Sequence, residues 1–423
     1  TVAAAQRMDN PMAAPIWRSM DFDSDILIVG GGINGSVLAL GLAQTGRSVT
    51  VIDAQPEAVR RNAGFDGRSY ALALTSVRLL TALGIWDRVA DKAQPMLEIK
   101  VSQGRAGEGP DPFFLHFDHA ELEEGPMGHM CEDRFLRRAL LDAMAEDDQI
   151  AVVDDQVVSQ SAMQAGVRLE LASGKALTGR LLVGCDGRGS GTATRAGIKR
   201  TGWGYGQTAL VAAVEHERPH NGVAHQFFMP QGPLAILPLP GNVSSIVWSE
   251  NESTANEFAA LSDAEFLKVL RPRFGDFLGD IAIRGKRYTY PLGLSIAQNL
   301  VSDRVVLVGD SAHGVHPLAG QGLNAGLRDA AALVQVVKEA ARRGEDFGTE
   351  PVLERYAQWR RFDITALAMV TDGTNRLFSN ENGLLKAARG LGMGVINALP
   401  GLRRGMMREA AGLTGDLPDL MKP

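Results

Sequence analysis

Only two cysteines, Cys131 and Cys185, occur in the 423 residues. They are too few for a disulfide framework, have no metal-ligand spacing, suit a reducing compartment, and need no role beyond packing. No apolar run approaches the roughly 20 residues needed to cross a bilayer, which excludes a membrane-spanning helix. No basic stripe interrupts a chain of net charge −6, which argues against nucleic acid as a partner. Repeats and low-complexity segments are absent as well. The first twenty residues mix Arg7, Asp9, Pro11, Pro15 and Arg18 without a continuous hydrophobic core. They are therefore not a secretory signal, and 1–24 is expected to be a disordered leader. The expected location is cytoplasmic. What remains, 45% apolar and 22% charged, is ordinary for a globular enzyme long enough for two domains and a large core.

Against those absences, one stretch stands out. Val305 to Val308 reads as a short buried strand that Gly309 stops. Asp310 follows at the carboxyl end of that strand, where open α/β sheets bind their ligands. His313 to Gly322 is too rich in Gly and Pro for regular structure, whereas Leu323 to Lys338 has a helical pattern with Leu323, Leu327, Ala331 and Val334 on one face. A carboxylate facing a glycine-rich loop and a helix amino end suits a polyol beside an electron-rich ring. The same pattern also fits any strand–loop–helix unit of an α/β domain.

The amino-terminal part supplies a second motif. Asp25 to Val29 is a buried strand, Gly30-Gly31-Gly32-Ile33-Asn34-Gly35 follows, Ser36 to Gln44 reads as a helix, and Val49 to Asp53 as the next strand. This is a dinucleotide fingerprint in its required context. Gly30 makes the tight turn, Gly32 lets the backbone approach a pyrophosphate, Gly35 lets helix and strand pack closely, and Asp53 accepts hydrogen bonds from a ribose diol. Asp53 argues against a 2′-phosphate, so the ligand is FAD or NAD rather than NADP. Arg68, after Asp66-Gly67, is either a surface charge or a group reaching a phosphate or a flavin edge. The Gly- and Pro-rich residues 104–128 read as an excursion away from the sheet. Cys131 to Leu141 returns to a helix, with Phe135, Ala139 and Leu140 inward and Arg134 at its amino end. Short strands over 151–188 reach Gly184-Cys185-Asp186-Gly187, with Ser190 and Arg195 in the loop beyond. From 205 to 300 the βα alternation is lost, which fits a mostly antiparallel inserted sheet interrupted by a helix at Asp263 to Phe274. From about Pro351 the chain reads as helical.

Three signatures thus stand in order: Gly30 to Gly35, then Asp186-Gly187, then Gly309-Asp310 with its His-Pro…Gly-Gln-Gly-x-Asn continuation. Together they resemble the class A flavoprotein monooxygenases. Gly232 to Leu239, Thr371-Asp372-Gly373 through Leu377-Phe378, and Gly412 to Pro418 narrow the likeness. These resemble the ubiquinone-biosynthesis aromatic-ring hydroxylases of UbiH type, from about residue 25 to the end. The resemblance implies an α/β fold: a Rossmann-like FAD-binding domain (25–103, 129–204 and 287–350), an inserted antiparallel β-sheet substrate domain (104–128 and 205–286), and a C-terminal helical segment (351–423). It implies that Gly30, Gly32, Gly35 and Asp53 hold the ADP half of FAD, that Arg134 lies against the pyrophosphate, and that Arg68 lies near the flavin. Asp186, in the Asp-Gly motif, and Gly309 belong to the same FAD set. Asp310 would bind the ribityl hydroxyls. Pro317, Gly320, Gln321, Gly322, Leu323 and Asn324 would line the isoalloxazine.

The activity implied is FAD-dependent hydroxylation of the aromatic ring of a polyprenyl-phenol, with O2 as oxidant and NAD(P)H or another electron donor. A membrane surface or a quinone-synthesis complex, peripheral to the inner membrane, is the implied setting. One departure leaves the donor open: the Asp-Gly motif ordinarily continues to a Ser and then an Arg three residues on, and Ala193 replaces that arginine after Ser190. No second dinucleotide fingerprint is present, so a nicotinamide must bind transiently. No general base is assigned, because His225, His313 and His316 read as hydrogen-bonded structural residues. The i, i+3 pair His313 and His316 has no third ligand, so no metal is expected.

Three other functions share parts of the pattern. An NAD-dependent dehydrogenase explains Gly30 to Asp53 but not Gly309 to Asp329. A flavin reductase of prenyl double bonds and a non-catalytic scaffold of a quinone-synthesis assembly would keep the same fold. At the carboxyl end, Leu384, Leu385, Leu391, Met393, Val395, Ile396, Leu399, Leu402, Met406 and Met407 interleave with Lys386, Arg389, Arg403, Arg404 and Arg408, and Glu409 is the only acid. This segment either covers the FAD domain or also turns a basic side outward to an anionic membrane.

Overall fold

Continuous runs of buried Ile, Leu and Val build the first sheet of the computed structural model, which describes residues 21–65, 67–122, 124–378 and 392–423. Most of the expected leader, Asp66, and Leu384, Leu385, Lys386, Arg389 and Leu391 of the C-terminal segment lie outside the described residues. Ser24–Val29 runs at the centre, parallel to Val49–Asp53 on one side and Ala176–Gly184 on the other. The order is Val301–Ser302, Val305–Leu307, Ala176–Gly184, Ser24–Val29, Val49–Asp53, Ile150–Asp154. Ile26, Leu27 and Ile28 are fully buried, as expected for a parallel sheet covered on both faces. The helices Ile33–Ala43 and Gln321–Arg342 pack against each other in the core on one face. An antiparallel arm, Val157–Ala162 with Val167–Leu171, extends from Ala176–Gly184.

The second sheet has the order His313–Gly314, Ile281–Ala297, Arg200–His216, Val243–Asn251, Gly232–Leu239, Val223–Met229, Glu98–Arg105, Gly109–Asp118. Its neighbours are antiparallel except Val223–Met229 with Glu98–Arg105. Strand alternation sorts the side chains. Leu234, Ile236, Ile246 and Trp248 enter a core beneath the helices Glu252–Ala260 and Asp263–Phe274. Ala235, Leu237, Val247 and Ser249 face a cavity on the other side. The Asp263–Phe274 helix starts on a capping box, Ser262 with Glu265. A small third sheet, Ser69–Ala73, Gly128–Glu132 and Gln94–Met96, joins the two.

The α/β fold with an inserted, mostly antiparallel sheet and a helical carboxyl end is as the pattern predicts. Residues 104–128 leave the first sheet, and Glu98–Arg105 and Gly109–Asp118 form a hairpin inside the second one. One detail differs. The strands Arg200–His216 and Ile281–Ala297, each of 17 residues, run across the expected limits at 204 and 286. The glycines there interrupt their mutual register between Gly204 and Thr208 without ending either strand. By strand pairing the second sheet runs from Glu98 to Ala297, with His313–Gly314 added at its edge. The chain ends in the helices Glu350–Phe378, 392–398 and Pro400–Ala410. Among the described residues no helix is long and apolar enough to cross a membrane. Cys131 and Cys185 are unpaired, and burial raises both thiols, Cys131 to about 12.

Candidate cofactor and active site

The carboxyl ends of the parallel strands, the cavity face of the second sheet and the helix Glu350–Phe378 enclose a cavity of about 1900 Å³. Pockets for one drug-sized ligand span ~300–1,000 Å³. This one therefore has room for a dinucleotide and a second molecule.

At the dinucleotide end the three fingerprint glycines have different neighbours. Gly30 has φ +101°, and a Cβ there would meet the Cys185 carbonyl oxygen at 2.4 Å. A Cβ on Gly35 would lie 1.9 Å from the Gly30 oxygen. Gly32 would meet no protein atom within 4 Å, and it borders the cavity. Asp53 accepts from the N–H of Gly31 and of Gln55, both at 2.7 Å, and it too lines the cavity. The buried Arg60 stands nearby, paired with Asp154 and donating to the Gln55 oxygen at 3.0 Å.

Of the two expected arginines, Arg68 borders the cavity. Arg134 does not line it: its guanidinium bonds Glu132 at 2.6 Å and the Ala63 oxygen at 3.2 Å, and lies over the Phe135 ring. The cavity-lining cation of the helix Asp133–Ala145 is Arg137, which pairs with the buried Asp133. Both arginines fit the helical pattern, but the side facing the first sheet is set by Leu136, Leu140 and Leu141, and this turns Arg137 inward. Arg68 lies 3.3 Å from Asp133, and the Tyr70 hydroxyl donates to it at 2.9 Å. Asp133, Arg137 and Tyr70 were not anticipated, because their meeting depends on strand Ser69–Ala73 pairing with Gly128–Glu132.

At the opposite end, Gly309 takes φ +67° in the turn Gly309–Ser311. Gly309 does not itself border the cavity, whereas Asp310 does, with Arg188 Nε at 3.4 Å. Asp186 lines the cavity, but its oxygens are taken by Ser190 at 2.5 Å and by the Thr192 N–H and hydroxyl at 2.9 Å. Ser190 caps the turn of helix Gly191–Arg195, and Ala193 is fully buried beneath it. Pro317, Gly320, Gln321, Gly322, Leu323 and Asn324 all border the cavity. Gly320 is left-handed at φ +63°, with Ala71 Cβ 3.0 Å from where its own would be, and it starts the helix Gln321–Arg342. The first N–H groups of that helix have no intrahelical partner and carry the positive end of its dipole. Asn324 staples the helix start to strand Ser69–Ala73. It accepts from Ala73 N–H at 2.9 Å and Ser76 Oγ at 2.8 Å, and donates to the oxygens of Ala71 at 2.8 Å and Gly320 at 3.1 Å.

A family model described as FAD binding domain matches residues 23–369. This chain belongs to that family. FAD is accordingly its cofactor, and the class A flavoprotein resemblance holds. Ubiquinone hydroxylase UbiL of Rhodospirillum rubrum is 42% identical over 419 residues, covering 98% of this chain and 96% of that protein. The 3-demethoxyubiquinol 3-hydroxylase of Escherichia coli is 33% identical over 393 residues, covering 92% and 99%. Among solved structures, p-nitrophenol 4-monooxygenase PnpA from Pseudomonas putida matches with a TM-score of 0.77 at 18% identity, covering 94% of this chain and 99% of that one. That match speaks to the fold. The residues present fit FAD: the open backbone at Gly32, the carboxylates Asp53 and Asp310, and the cations Arg68 and Arg137 all border the cavity.

Of the three histidines considered, His313 is structural, fully buried with Nε2 2.6 Å from Asp329. His316 is 1% exposed with no hydrogen-bond partner on either ring nitrogen among the described residues. Burial, then the charge of Arg188, lowers its pKa to about 4. Burial lowers His225 to about 4 as well, with Lys100 adding. Both are neutral at working pH and poor proton acceptors. Because the folded pKa of His316 lies below the unfolded value of ~6.5, protonation favours the unfolded chain. Its stabilising neutral state is complete above pH ~6.5 and is lost toward pH ~4, at about 1.4 kcal/mol per pH unit. Thermal melts over that window should therefore slope less steeply for His316→Gln than for wild type. Equal slopes would remove His316 from the acid response.

Proposed function

We propose that this chain hydroxylates the aromatic ring of a polyprenyl-phenol intermediate in ubiquinone biosynthesis, using O2 and electrons from NAD(P)H or another donor. The observation that carries the reading is the second half of the cavity. Beyond the residues fitted to FAD it is walled by Phe228, Ala235, Leu237, Val247, Leu377 and Phe378, with Gln226 and Ser249 as polar points. That lining suits a flat ring with a long apolar tail and little else. Two relatives with the same reading in their names align over nearly the whole chain.

Bound FAD supplies the chemistry: once reduced, it activates dioxygen for insertion into an electron-rich ring. The protein supplies placement and electrostatics. Pro317, Gly320, Gln321 and Gly322 would form the flavin-ring environment, and the positive end of the helix Gln321–Arg342 would favour negative charge on that ring. Asp310 would hold the ribityl chain and Asp53 the ribose. The apolar wall excludes water from the reacting centre. With His316 and His225 neutral, no side chain is assigned as a general base.

Collection of the substrate at a lipid surface or from a quinone-synthesis assembly belongs to the same reading. Its support is apolar: Phe362 (78% exposed), Met369 (70%) and Val370 (65%) share the helix Glu350–Phe378 with cavity-lining residues. Among the described residues of the C-terminal segment, Arg403 pairs with Glu121 at 2.9 Å and Arg408 with Glu124 at 3.1 Å, while Arg404 donates to its own helix oxygen at Pro400. Those acids come from the 104–128 region, so the sequence placed them nowhere near the carboxyl end.

The test is turnover of a prenylated phenol in detergent with isotopically labelled dioxygen. Product carrying one labelled oxygen on the ring is expected. Oxygen uptake that yields only hydrogen peroxide, with the phenol recovered unchanged for every donor, would refute the reading.

A further inference from the structure

The turn that carries Asp310 is held from behind. Asp329, fully buried in the helix Gln321–Arg342, accepts from the Gly309 N–H at 3.1 Å and lies 2.6 Å from His313 Nε2. Its other oxygen accepts from Arg360 Nε at 2.7 Å. Arg360, 1% exposed, belongs to the helix Glu350–Phe378, borders the cavity, and also donates to Asp363 at 2.5 Å. Asp363 is shared with Arg328 at 3.4 Å, and Arg328 bonds the Gly412 oxygen. A second tie runs beside it: the buried Tyr356 hydroxyl donates to the Leu307 oxygen at 2.8 Å, on the strand that leads into the turn. Burial pushes the Asp329 carboxyl up, but His313 and Arg360 outweigh this and hold it below the usual range. It is therefore a charged anchor.

We infer that the Asp329–Arg360 pair is the positioning unit for the flavin's ribityl chain, fixing the Gly309–Ser311 turn so that Asp310 faces the cavity. Gly309 sits at φ +67°, where the backbone has few other restraints. Its N–H bond to Asp329 fixes the turn from the helix side, beside Ala312 N–H to the Gly309 oxygen at 2.8 Å and Arg200 to the Asp310 oxygen at 3.1 Å. The consequence is that FAD affinity depends on Arg360, through Asp329, without Asp329 being required to touch the cofactor. The inference rests on FAD binding and is independent of which phenol is hydroxylated.

Arg360→Ala opens a guanidinium-sized space behind the turn. It is expected to fold and to bind FAD about ten- to a hundredfold more weakly, the range of one charge-assisted hydrogen bond. Methylguanidinium added to the buffer should restore most of the loss, whereas a merely structural role would lower the melting temperature of the FAD-free protein in step with the loss of affinity. Asp329→Asn keeps an acceptor for Gly309 and should lose less. The readouts are FAD affinity by fluorescence titration, flavin-to-protein ratio after dialysis, and circular dichroism. Affinity within about twofold of wild type in folded Arg360→Ala, or a loss that methylguanidinium does not relieve, overturns the assignment. If the alanine variant does not fold, Arg360→Lys keeps charge and volume. It should still weaken FAD binding, and wild-type affinity in that variant overturns the assignment equally.

Discussion

Gly32→Val gives a folded protein that does not bind FAD. The residue has φ −68° and ψ −175°, an extended conformation that valine adopts readily. No protein atom lies within 4 Å of the added Cβ, so folding is spared. The space the side chain enters is the cavity where the fingerprint backbone must approach the pyrophosphate. The same substitution at Gly30 or Gly35 would instead strike backbone at 2.4 Å or 1.9 Å, and would be a folding defect. Asp53→Ala is the comparison. It removes ribose contacts and the acceptor for Gly31 N–H, which is expected to weaken FAD by about ten- to a hundredfold rather than abolish it. Flavin fluorescence titration ranks the two. A tighter complex with Gly32→Val than with Asp53→Ala would contradict this geometry.

Asp310→Ala is expected to leave the fold intact and the purified protein largely free of flavin. The Asp310 side chain is 42% exposed and its ion pair with Arg188 is similarly open at 43%, so little stability depends on it. Arg188 keeps its bond to the Val315 oxygen at 3.1 Å. What is lost is a carboxylate facing the cavity at the end of the strand Val305–Leu307, with about 1.5–3 kcal/mol of charge-assisted hydrogen bonding. The ratio of flavin to protein after dialysis decides it. A variant that retains FAD at the wild-type ratio would show that Asp310 is not a ribityl ligand.

The parts of this site that could be read from the chain are those in which chemistry and contact are neighbours in sequence. Gly30 to Asp53 is one continuous strand–turn–helix–strand, and its glycines have the conformations the spacing demands. The helix Gln321–Arg342 follows from its apolar period, and Gly320 from the loop before it. Arg134 and Arg137 are neighbours on one side of their helix, and what separates them is tertiary: Arg134 bonds Glu132 and Ala63, while Arg137 borders the cavity. Arg137, Asp133, Tyr70 and Arg68 meet through strand pairing that no local pattern records. Asp329 and Arg360 sit on different helices, so their ion pair has no signature at all. The hairpin Glu98–Asp118 joins the inserted sheet, as the resemblance implies for 104–128, but its parallel pairing with Val223–Met229, far along the chain, has no local signature.

The order of strands in the first sheet also governs when this protein can become functional during its own synthesis. The central strand Ser24–Val29 emerges first, yet one flank is Ala176–Gly184 and the strand beyond that is Val305–Leu307. Loop closure over such separations makes folding slow and leaves unpaired strand edges exposed meanwhile. The fingerprint backbone and the Gly309–Ser311 turn are brought together only when that last strand docks on Ala176–Gly184. Cofactor capture therefore follows synthesis of the strand Val305–Leu307.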